Sequence, residues 1–96
     1  MDLNLTDKVA IITGGSDGIG KAAAISLAKE GAKVAIIARN QEKIDLAVNE
    51  IKQITNGNVI GISADVSVES DVIDMVSAVN AEFGGIDILI NNAGTN

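Results

Sequence analysis

The feature that most constrains this chain is a glycine-rich loop between an apolar run and an alanine-rich segment. Residues 9–13 are apolar or β-branched, four glycines lie within residues 14–20, and helix-forming residues follow over 21–29. Glycine lets the backbone turn sharply and approach a ligand. The free N–H groups at the start of a helix then face an anion, with the helix dipole in support. The order of strand, glycine turn and helix therefore predicts a phosphate-binding site.

Three phosphate-binding patterns compete for this loop. The dinucleotide pattern G-x-G-x-x-[GA] is satisfied by Gly18, Gly20 and Ala23, but it is weak by itself. The P-loop pattern G-x-x-x-x-G-K-[ST] fails at Ala22, because the hydroxyl that holds Mg²⁺ is missing. The third pattern, T-G-x-x-x-G-x-G, is complete and begins at Thr13.

The remaining apolar runs predict an α/β fold. Strand candidates begin near Val9, Val34, Val59 and Ile86, at nearly constant spacing. Connections of this length suit parallel strands joined by right-handed helical crossovers, and continuously apolar strands are typical of sheets covered on both faces. We predict a single truncated domain over residues 1–96, a partial Rossmann (doubly wound) β-α-β-α-β-α-β fold with a four-stranded parallel sheet in the order 3-2-1-4.

Capping residues and apolar periodicity set the predicted boundaries. The predicted helices cover residues 18–30, 41–54 and 68–83, and the fourth strand covers residues 86–90. Gly31 and Gly57 are expected to end the first two helices, and Gly84 the third. Asn40 and Ser67 are the expected N-caps of the second and third helices. The apolar stripes are Ile44, Ala47, Val48, Ile51 and Ile54 in the second helix and Val68, Val72, Met75, Val76, Val79 and Phe83 in the third.

The predicted strand order reverses between the first and fourth strands, so a crevice opens at their carboxyl ends. The glycine loop follows the first strand, and residues 91–94 follow the fourth. Both polar, glycine-containing segments are therefore expected at the same crevice. This agreement between topology and motif position predicts a ligand site there.

The T-G-x-x-x-G-x-G loop and the stretch Asn91-Asn92-Ala93-Gly94 resemble the cofactor loop and the N-N-A-G motif of the short-chain dehydrogenase/reductase family. The resemblance covers essentially the whole chain but only the first part of the family's domain. Family members transfer a hydride between a nicotinamide cofactor and a carbonyl or alcohol, and their Ser, Tyr and Lys lie beyond the N-N-A-G strand. This sequence has no tyrosine. We therefore expect a truncated fragment that binds cofactor without turnover and has no catalytic residue.

The resemblance implies cofactor contacts at residues in and between the two motifs. Asp65 would accept a hydrogen bond from the adenine amino group, and Val66 would line the pocket of the ring. Asn91 would brace the central strands, whereas Thr13 would fix the loop without touching the cofactor. The implied cofactor-binding residues are Gly14, Ser16, Gly18, Ile19 (through its N–H), Gly20, Asp65, Val66, Asn91, Ala93 and Gly94.

Arg39 bears on which nicotinamide cofactor is bound. In NAD sites an acidic residue ~20 positions past the glycines holds the ribose 2′-hydroxyl. Here that place holds Ala38 followed by Arg39, and a guanidinium can clamp a 2′-phosphate with paired hydrogen bonds. Arg39 therefore predicts NADP(H) rather than NAD(H). Asp17 stands where NADP-preferring members often carry a basic residue, which opposes that preference, and the sequence leaves open whether the isolated fragment retains cofactor.

Composition excludes several other partners and chemistries. The net charge of -6 and the pI of about 4.3 argue against binding to nucleic acid or to an anionic membrane surface. With no histidine or cysteine, a metal site would need carboxylates alone, and none is predicted. No signal-peptide pattern and no apolar run of ~18 residues is present, so we expect a cytoplasmic protein.

The truncation predicted from the family resemblance would leave the fourth strand as an unpaired apolar edge and one sheet face partly uncovered. Such surfaces invite association, so we predict a homodimer through the fourth strand. Two other hypotheses remain open. The chain is a folding and self-assembly module that binds no cofactor, or it is half of an enzyme completed by a separate chain that carries the Tyr and Lys.

Overall fold

The computed structural model describes residues 5–16 and 18–92, and in this part of the chain strands and helices alternate as the sequence predicts. The elements are β1 (Val9–Thr13), α1 (Gly18–Lys29), β2 (Lys33–Ala38), α2 (Gln41–Thr55), β3 (Val59–Ser63), α3 (Glu69–Phe83) and β4 (Ile88–Asn91). The four strands form one parallel sheet in the order β3-β2-β1-β4. The predicted fold class and strand order are confirmed.

Strand β1 lies at the centre of this sheet. All five of its residues are buried, and it pairs with β2 on one side and with β4 on the other. At its carboxyl end, Thr13 is in register with Ile37 of β2 and with Asn91 of β4. The loop that follows β1 therefore starts between the ends of two other strands.

Helices cover the two faces of the sheet unequally. Helices α1 and α2 bury one face, where Ile12 and Ile36 pack with Ile44 and Ile51 of α2. The other face packs against α3 through residues such as Ile11 and Met75. Removing these apolar side chains from water supplies the main stabilisation of the domain, about 1.5–3 kcal/mol for each fully buried one.

The structure confirms two of the capping predictions around α1 and α2 and corrects a third. Gly31 has the left-handed φ of 94° expected after a helix, and the Asn40 side chain accepts a hydrogen bond from the backbone N–H of Lys43 at 3.1 Å. The left-handed residue after α2 is Asn56, not Gly57, because asparagine tolerates this conformation better than other residues with a Cβ. Ile54, assigned to the apolar stripe, is half exposed near this end.

Helix α3 begins at Glu69, one residue later than predicted, and Ser67 is not its N-cap. Its N-cap is Val68, with no side-chain cap, because the Ser67 hydroxyl donates to Asp65 at 2.6 Å instead. Val68 and Val76, both placed in the apolar stripe, are exposed, whereas Met75 is buried. Gly84 ends the helix in the left-handed conformation, as predicted.

Strand β4 begins at Ile88, two residues later than predicted, and extends to Asn91. The cause is a contact made by Asp87, whose carboxylate accepts from the Val9 N–H at 2.9 Å. The N–H of Asp87 in turn donates to the Val9 carbonyl at 2.8 Å. This reciprocal pair aligns the start of β4 with β1, and Ile86 lies before the strand, partly exposed.

Helix α2 lies close to β3 at Gly61. A Cβ at this position would lie 2.1 Å from Cγ2 of Ile44 and 2.9 Å from Cγ2 of Val48. Both distances are shorter than a carbon–carbon contact allows. Glycine is therefore required at this position by packing.

We expect Gly61→Ala to lower the free energy of unfolding by about 1–3 kcal/mol, because the added methyl group overpacks the contact between α2 and β3. Urea denaturation followed by circular dichroism measures this change. Gly57→Ala is the matched control, since the nearest atoms to its Cβ would lie at 3.1 and 3.2 Å, and we expect a smaller loss. Equal losses in the two variants would contradict the packing argument.

Candidate functional site

The turn after β1 requires glycine at several positions, for two different structural reasons. Gly14 and Gly18 adopt left-handed φ values of 70° and 59°, which glycine reaches without strain. A Cβ on Gly20 would lie 2.2 Å from the carbonyl oxygen of Gly14, so the first turn of α1 can rest against the loop only with glycine there. The backbone of the turn thus lies against the N-terminus of α1, an arrangement in which backbone N–H groups can bind a phosphate.

A cavity of about 190 Å³ lies beside this turn, beyond the ends of β2 and β3. It brings together four predicted site residues from three separate loops, Gly14, Arg39, Asp65 and Val66. Its remaining lining residues are Ile37, Ala38, Ala64 and Ser67. The cavity therefore combines an apolar wall with one cation and one carboxylate, as a site for an aromatic group bearing charged substituents requires.

Asp65 is held by hydrogen bonds within its own turn. Its Oδ1 accepts from the Ser67 N–H at 2.9 Å and from the Ser67 hydroxyl at 2.6 Å, and its N–H donates to Oδ2 of Asp71 at 2.9 Å. The Ser67 hydroxyl, the Ser67 N–H and, to a smaller extent, the charge of Arg39 lower the pKa of Asp65 below its ordinary 3.8. The side chain is thus an ionised acceptor at neutral pH.

Arg39 follows the last residue of β2, and its backbone is fixed while its side chain is exposed. Its carbonyl accepts from the Ser63 hydroxyl at 3.0 Å. Beside it, the Ala64 N–H donates to the Ala38 carbonyl at 2.9 Å, which joins the ends of β2 and β3. These bonds hold the two loops that carry Arg39 and Asp65 at a common edge of the sheet.

Thr13 and Asn91 connect the ends of β1 and β4. Thr13, which is only 5% exposed, donates from Oγ1 to Oδ1 of Asn91 at 3.0 Å. The Asn92 N–H donates back to Oγ1 of Thr13 at 2.9 Å. These contacts join the ends of β1 and β4, where Asn91 was predicted to brace the central strands. The roles predicted for Asn91 and Thr13 toward the cofactor stay predictions.

Comparison with known proteins decides the family. The sequence model for the short chain dehydrogenase family matches residues 8–96 of this chain. The chain belongs to this family. A short-chain dehydrogenase/reductase homolog of Bacillus subtilis (YusS) is 47% identical over 92 residues, which are 95% of this chain and 84% of the relative.

Other relatives of this short-chain dehydrogenase chain are longer. An uncharacterized oxidoreductase of Staphylococcus epidermidis (SERP2049) is 44% identical over 88 residues, 92% of this chain but 36% of the relative. L-sorbose reductase from Gluconobacter frateurii, solved with NADPH and L-sorbose, superposes with a TM-score of 0.93 at 41% identity. The match covers 98% of this chain and 36% of the reductase. That residues 1–96 form a single truncated domain stays a prediction.

A hydroxysteroid dehydrogenase from Escherichia coli also has this fold, with a TM-score of 0.91 at 36% identity over 97% of this chain and 39% of that chain. The position of the glycine loop, at the crevice where the strand order reverses, is therefore a feature of the family's fold.

Within residues 5–16 and 18–92, no helix is long and apolar enough to cross a membrane. The same residues contain no cluster of three or more side chains suited to a metal ion.

The other predicted site residues of this short-chain dehydrogenase chain lie elsewhere or outside the described residues. Ser16 is half-buried and lines a different cavity, between the loop and α2. Ile19 follows Gly18 at the start of α1 with its side chain 80% exposed, so a part in binding would fall to its backbone. Ala93 and Gly94 are not among the described residues, and their predicted contacts with the nicotinamide ribose stay predictions.

Two residues at this edge were not assigned a site role from the sequence. Ser67 and Asp71 hold the turn that presents Asp65. The first had a local signal, because an Asp followed two positions later by a Ser is typical of a turn in which the carboxylate accepts from the following backbone. Asp71 had none, since its contact depends on how α3 docks beneath the turn.

The lowered pKa of Asp65 predicts a pH dependence with a definite sign. Its contacts stabilise the fold fully above the ordinary pKa and are lost as pH falls through the lower folded value. We expect Ser67→Ala to raise the pKa of Asp65 toward 3.8, because the hydroxyl is the largest cause of the shift. Carbon-13 NMR titration of the carboxyl measures this, and Ser70→Ala, on an exposed residue of α3, should leave the pKa unchanged.

Proposed function

We propose that this chain binds NADP(H) as the cofactor-binding portion of a short-chain dehydrogenase and has no turnover by itself. The observation that carries the proposal is Arg39, which lines the same cavity as Gly14 and Asp65. An NAD site has a carboxylate at the end of β2 to hold the ribose 2′-hydroxyl. Here the residue there is a cation, which favours a phosphate at that oxygen.

The described residues suit the adenosine and pyrophosphate parts of this ligand. The pyrophosphate would lie at the turn between Gly14 and the start of α1, where backbone N–H groups and the helix dipole favour anions. The adenine ring would lie against Val66, with its amino group donating to the Asp65 carboxylate. Solved relatives support this assignment, since L-sorbose reductase was crystallised with NADPH.

Charge at the cavity favours the phosphorylated cofactor. Arg39 shares the cavity with the carboxylate of Asp65, but its charge lowers the pKa of Asp65 less than either hydrogen bond from Ser67 does. The attraction between the two side chains is therefore weak, as is typical of exposed pairs. A 2′-phosphate carries close to two charges and can accept two parallel bonds from a guanidinium, so it would compete for Arg39 successfully.

The proposed lack of turnover follows from the residues that the sequence contains. The cofactor supplies hydride chemistry when it is bound, but reduction of a carbonyl also needs a proton donor at the substrate. The sequence has no tyrosine, so the family's Tyr has no counterpart in it. Histidine and cysteine, which donate protons in many other enzymes, are missing as well.

The cytoplasmic location predicted from the sequence stays a prediction.

Titration of NADPH with the chain, followed by the cofactor's own fluorescence, tests the proposal. The chain has no Trp or Tyr to interfere. We expect saturable binding, and we expect Arg39→Asp to weaken it at least about 10-fold, since a charged hydrogen bond contributes about 1.5–3 kcal/mol.

Lys29→Asp is the matched control, because it makes the same charge change in the last turn of α1, away from the cavity. We expect NADPH affinity within about twofold of the original chain, as long-range charge effects are screened at physiological salt. Absence of binding up to millimolar NADPH would reject the proposal and favour a module that only folds and assembles.

A second proposal concerns self-association through β4. Leu89 is 65% exposed, and its register partner Ile11 lies on the face that packs against α3. Leu89 therefore projects from that same face, where α3 also exposes Ile73 and Val76. Within residues 5–16 and 18–92, β4 pairs with β1 alone, so its other edge presents N–H and C=O groups to a partner.

We propose that a second copy of this chain occupies this surface. Two β4 strands related by a twofold axis would pair antiparallel, and each Leu89 would be covered by the other protomer. The exposed residues of α3 would enlarge the buried apolar surface beyond the strands themselves. A strand edge together with an apolar face is the combination that a self-complementary interface needs.

Sedimentation velocity tests the dimer. We expect the chain to sediment as a dimer at tens of micromolar and Leu89→Lys to shift it to monomer, because two lysines would then oppose each other at the twofold axis. Leu46→Lys is the control, since Leu46 is 71% exposed on α2, which covers the opposite face. A monomeric original chain would refute the dimer and leave this surface to another segment or chain.

A further inference from the structure

The turn between α2 and β3 contains a chemically sensitive pair of residues. Asn56 is followed by Gly57, and no other asparagine of the sequence precedes a glycine. Asn56 is the C-cap of α2, with a left-handed φ of 54°, and it is exposed to solvent. The turn lies at the amino end of β3, whereas the proposed cofactor site lies at the carboxyl ends of the strands. The proposed function therefore gives this turn no part.

An asparagine followed by glycine can lose its side-chain amide in water. The backbone nitrogen of the glycine attacks Cγ of the asparagine, and a new C–N bond closes a succinimide ring. The amide nitrogen leaves as ammonia and takes the proton of the attacking N–H. Water then opens the ring at either carbonyl, which gives aspartate or isoaspartate without any change of oxidation state. Glycine favours the attack because it has no Cβ to crowd its nitrogen.

The folded turn opposes this attack through Thr55. The Gly57 N–H donates to Oγ1 of Thr55 at 3.0 Å, and this hydroxyl donates to the Ile51 carbonyl at 2.8 Å. The Asn56 N–H donates to the Lys52 carbonyl at 2.8 Å. The nitrogen that would attack is thus bonded to the last turn of α2, and the reaction needs this end of the helix to open first.

The last turn of α2 is placed to open without the rest of the fold. Ile54 is 50% exposed, and its neighbours Lys52 and Gln53 are exposed as well. Helix ends with few buried contacts open at a much lower free energy than the whole domain. Where opening and closing are fast, a slow reaction of the open form proceeds in proportion to its population.

We propose that Asn56 is a site of spontaneous deamidation in this protein, and that Thr55 limits the rate of the reaction in the folded chain. The inference does not depend on cofactor binding. The product carboxylate lies at the carboxyl end of α2, where the helix dipole disfavours negative charge. Isoaspartate also lengthens the main chain just before Asn58, whose carbonyl accepts from the Val34 N–H at 2.9 Å. The modification therefore loosens the start of β3.

Incubation of the folded chain at mildly alkaline pH, followed by peptide mapping with mass spectrometry, tests the site. Labelling by an isoaspartyl methyltransferase identifies the isoaspartate product. Asn58 is the internal reference, because it is exposed in the same turn but is followed by the branched Val59. We expect Asn56 to be modified faster than Asn58 and the other asparagines. Equal rates at Asn56 and Asn58 would overturn the proposal.

Substitutions at Thr55 test the restraint. We expect Thr55→Val to raise the rate at Asn56 about 2- to 10-fold, because the loss of one hydrogen bond enlarges the open population by such a factor. Thr55→Ser keeps the hydroxyl and should stay within about twofold of the original chain. Thr13→Val is the matched control, since it removes a hydroxyl that also donates and accepts, but between β1 and β4. It should change the rate less than about twofold, because local opening is independent of that contact.

The same measurement in urea separates the fold from the local sequence. The original chain and Thr55→Val should react at equal rates there, because the unfolded chain has no turn for the hydroxyl to hold, and both should react faster than the folded original. A difference that persists in urea would overturn the restraint by Thr55. An unchanged folded rate in Thr55→Val, or an equal increase in Thr13→Val, would overturn it as well. Circular dichroism verifies that each variant folds, and Thr55→Ser together with the urea comparison decides the matter if Thr55→Val does not.

Discussion

The hydrogen bonds at the carboxyl end of β1 are the contacts on which the rest of the site depends. Gly14 donates from its N–H to the Ile37 carbonyl of β2 at 2.7 Å, and Thr13 donates to Asn91 of β4. The start of the glycine loop is thereby tied to both neighbouring strands. A loop rich in glycine loses much conformational entropy on folding, so a phosphate-binding turn is well defined only where the sheet holds it.

Charge in this molecule is arranged locally against the overall balance. The chain is acidic, yet the segment between β2 and α2 carries the cation Arg39. Asp65 faces the same cavity as Arg39 and is kept ionised by its bonds to Ser67. One edge of the sheet thus offers an anionic acceptor and a cation in the same cavity, which is the pattern that a nucleotide bearing an extra phosphate would complement.

Most of the fold could be predicted because its signals are local and repeated. Buried strands are apolar along their length and helices follow at constant spacing, so the order β3-β2-β1-β4 followed from topology alone. Apart from Val76, which is exposed within α3, the errors lay at the ends of elements. Ser67 was expected to cap α3 but bonds to Asp65, and Asn56 rather than Gly57 ends α2. In both cases two polar or flexible neighbours compete for one position, and small energies decide between them.

The sequence by itself determined the glycine turn, the order of the elements, the family motifs and the presence of Arg39 at the end of β2. Only the tertiary structure decided which of these residues share a cavity, because distances between elements depend on how helices pack on the sheet. It placed Arg39 with Asp65 in one cavity and Ser16 with Lys43 in another. Motifs specify local backbone, whereas contacts between elements, such as that of Gly61 in β3 with Ile44 in α2, depend on side-chain volumes that meet only in the folded chain.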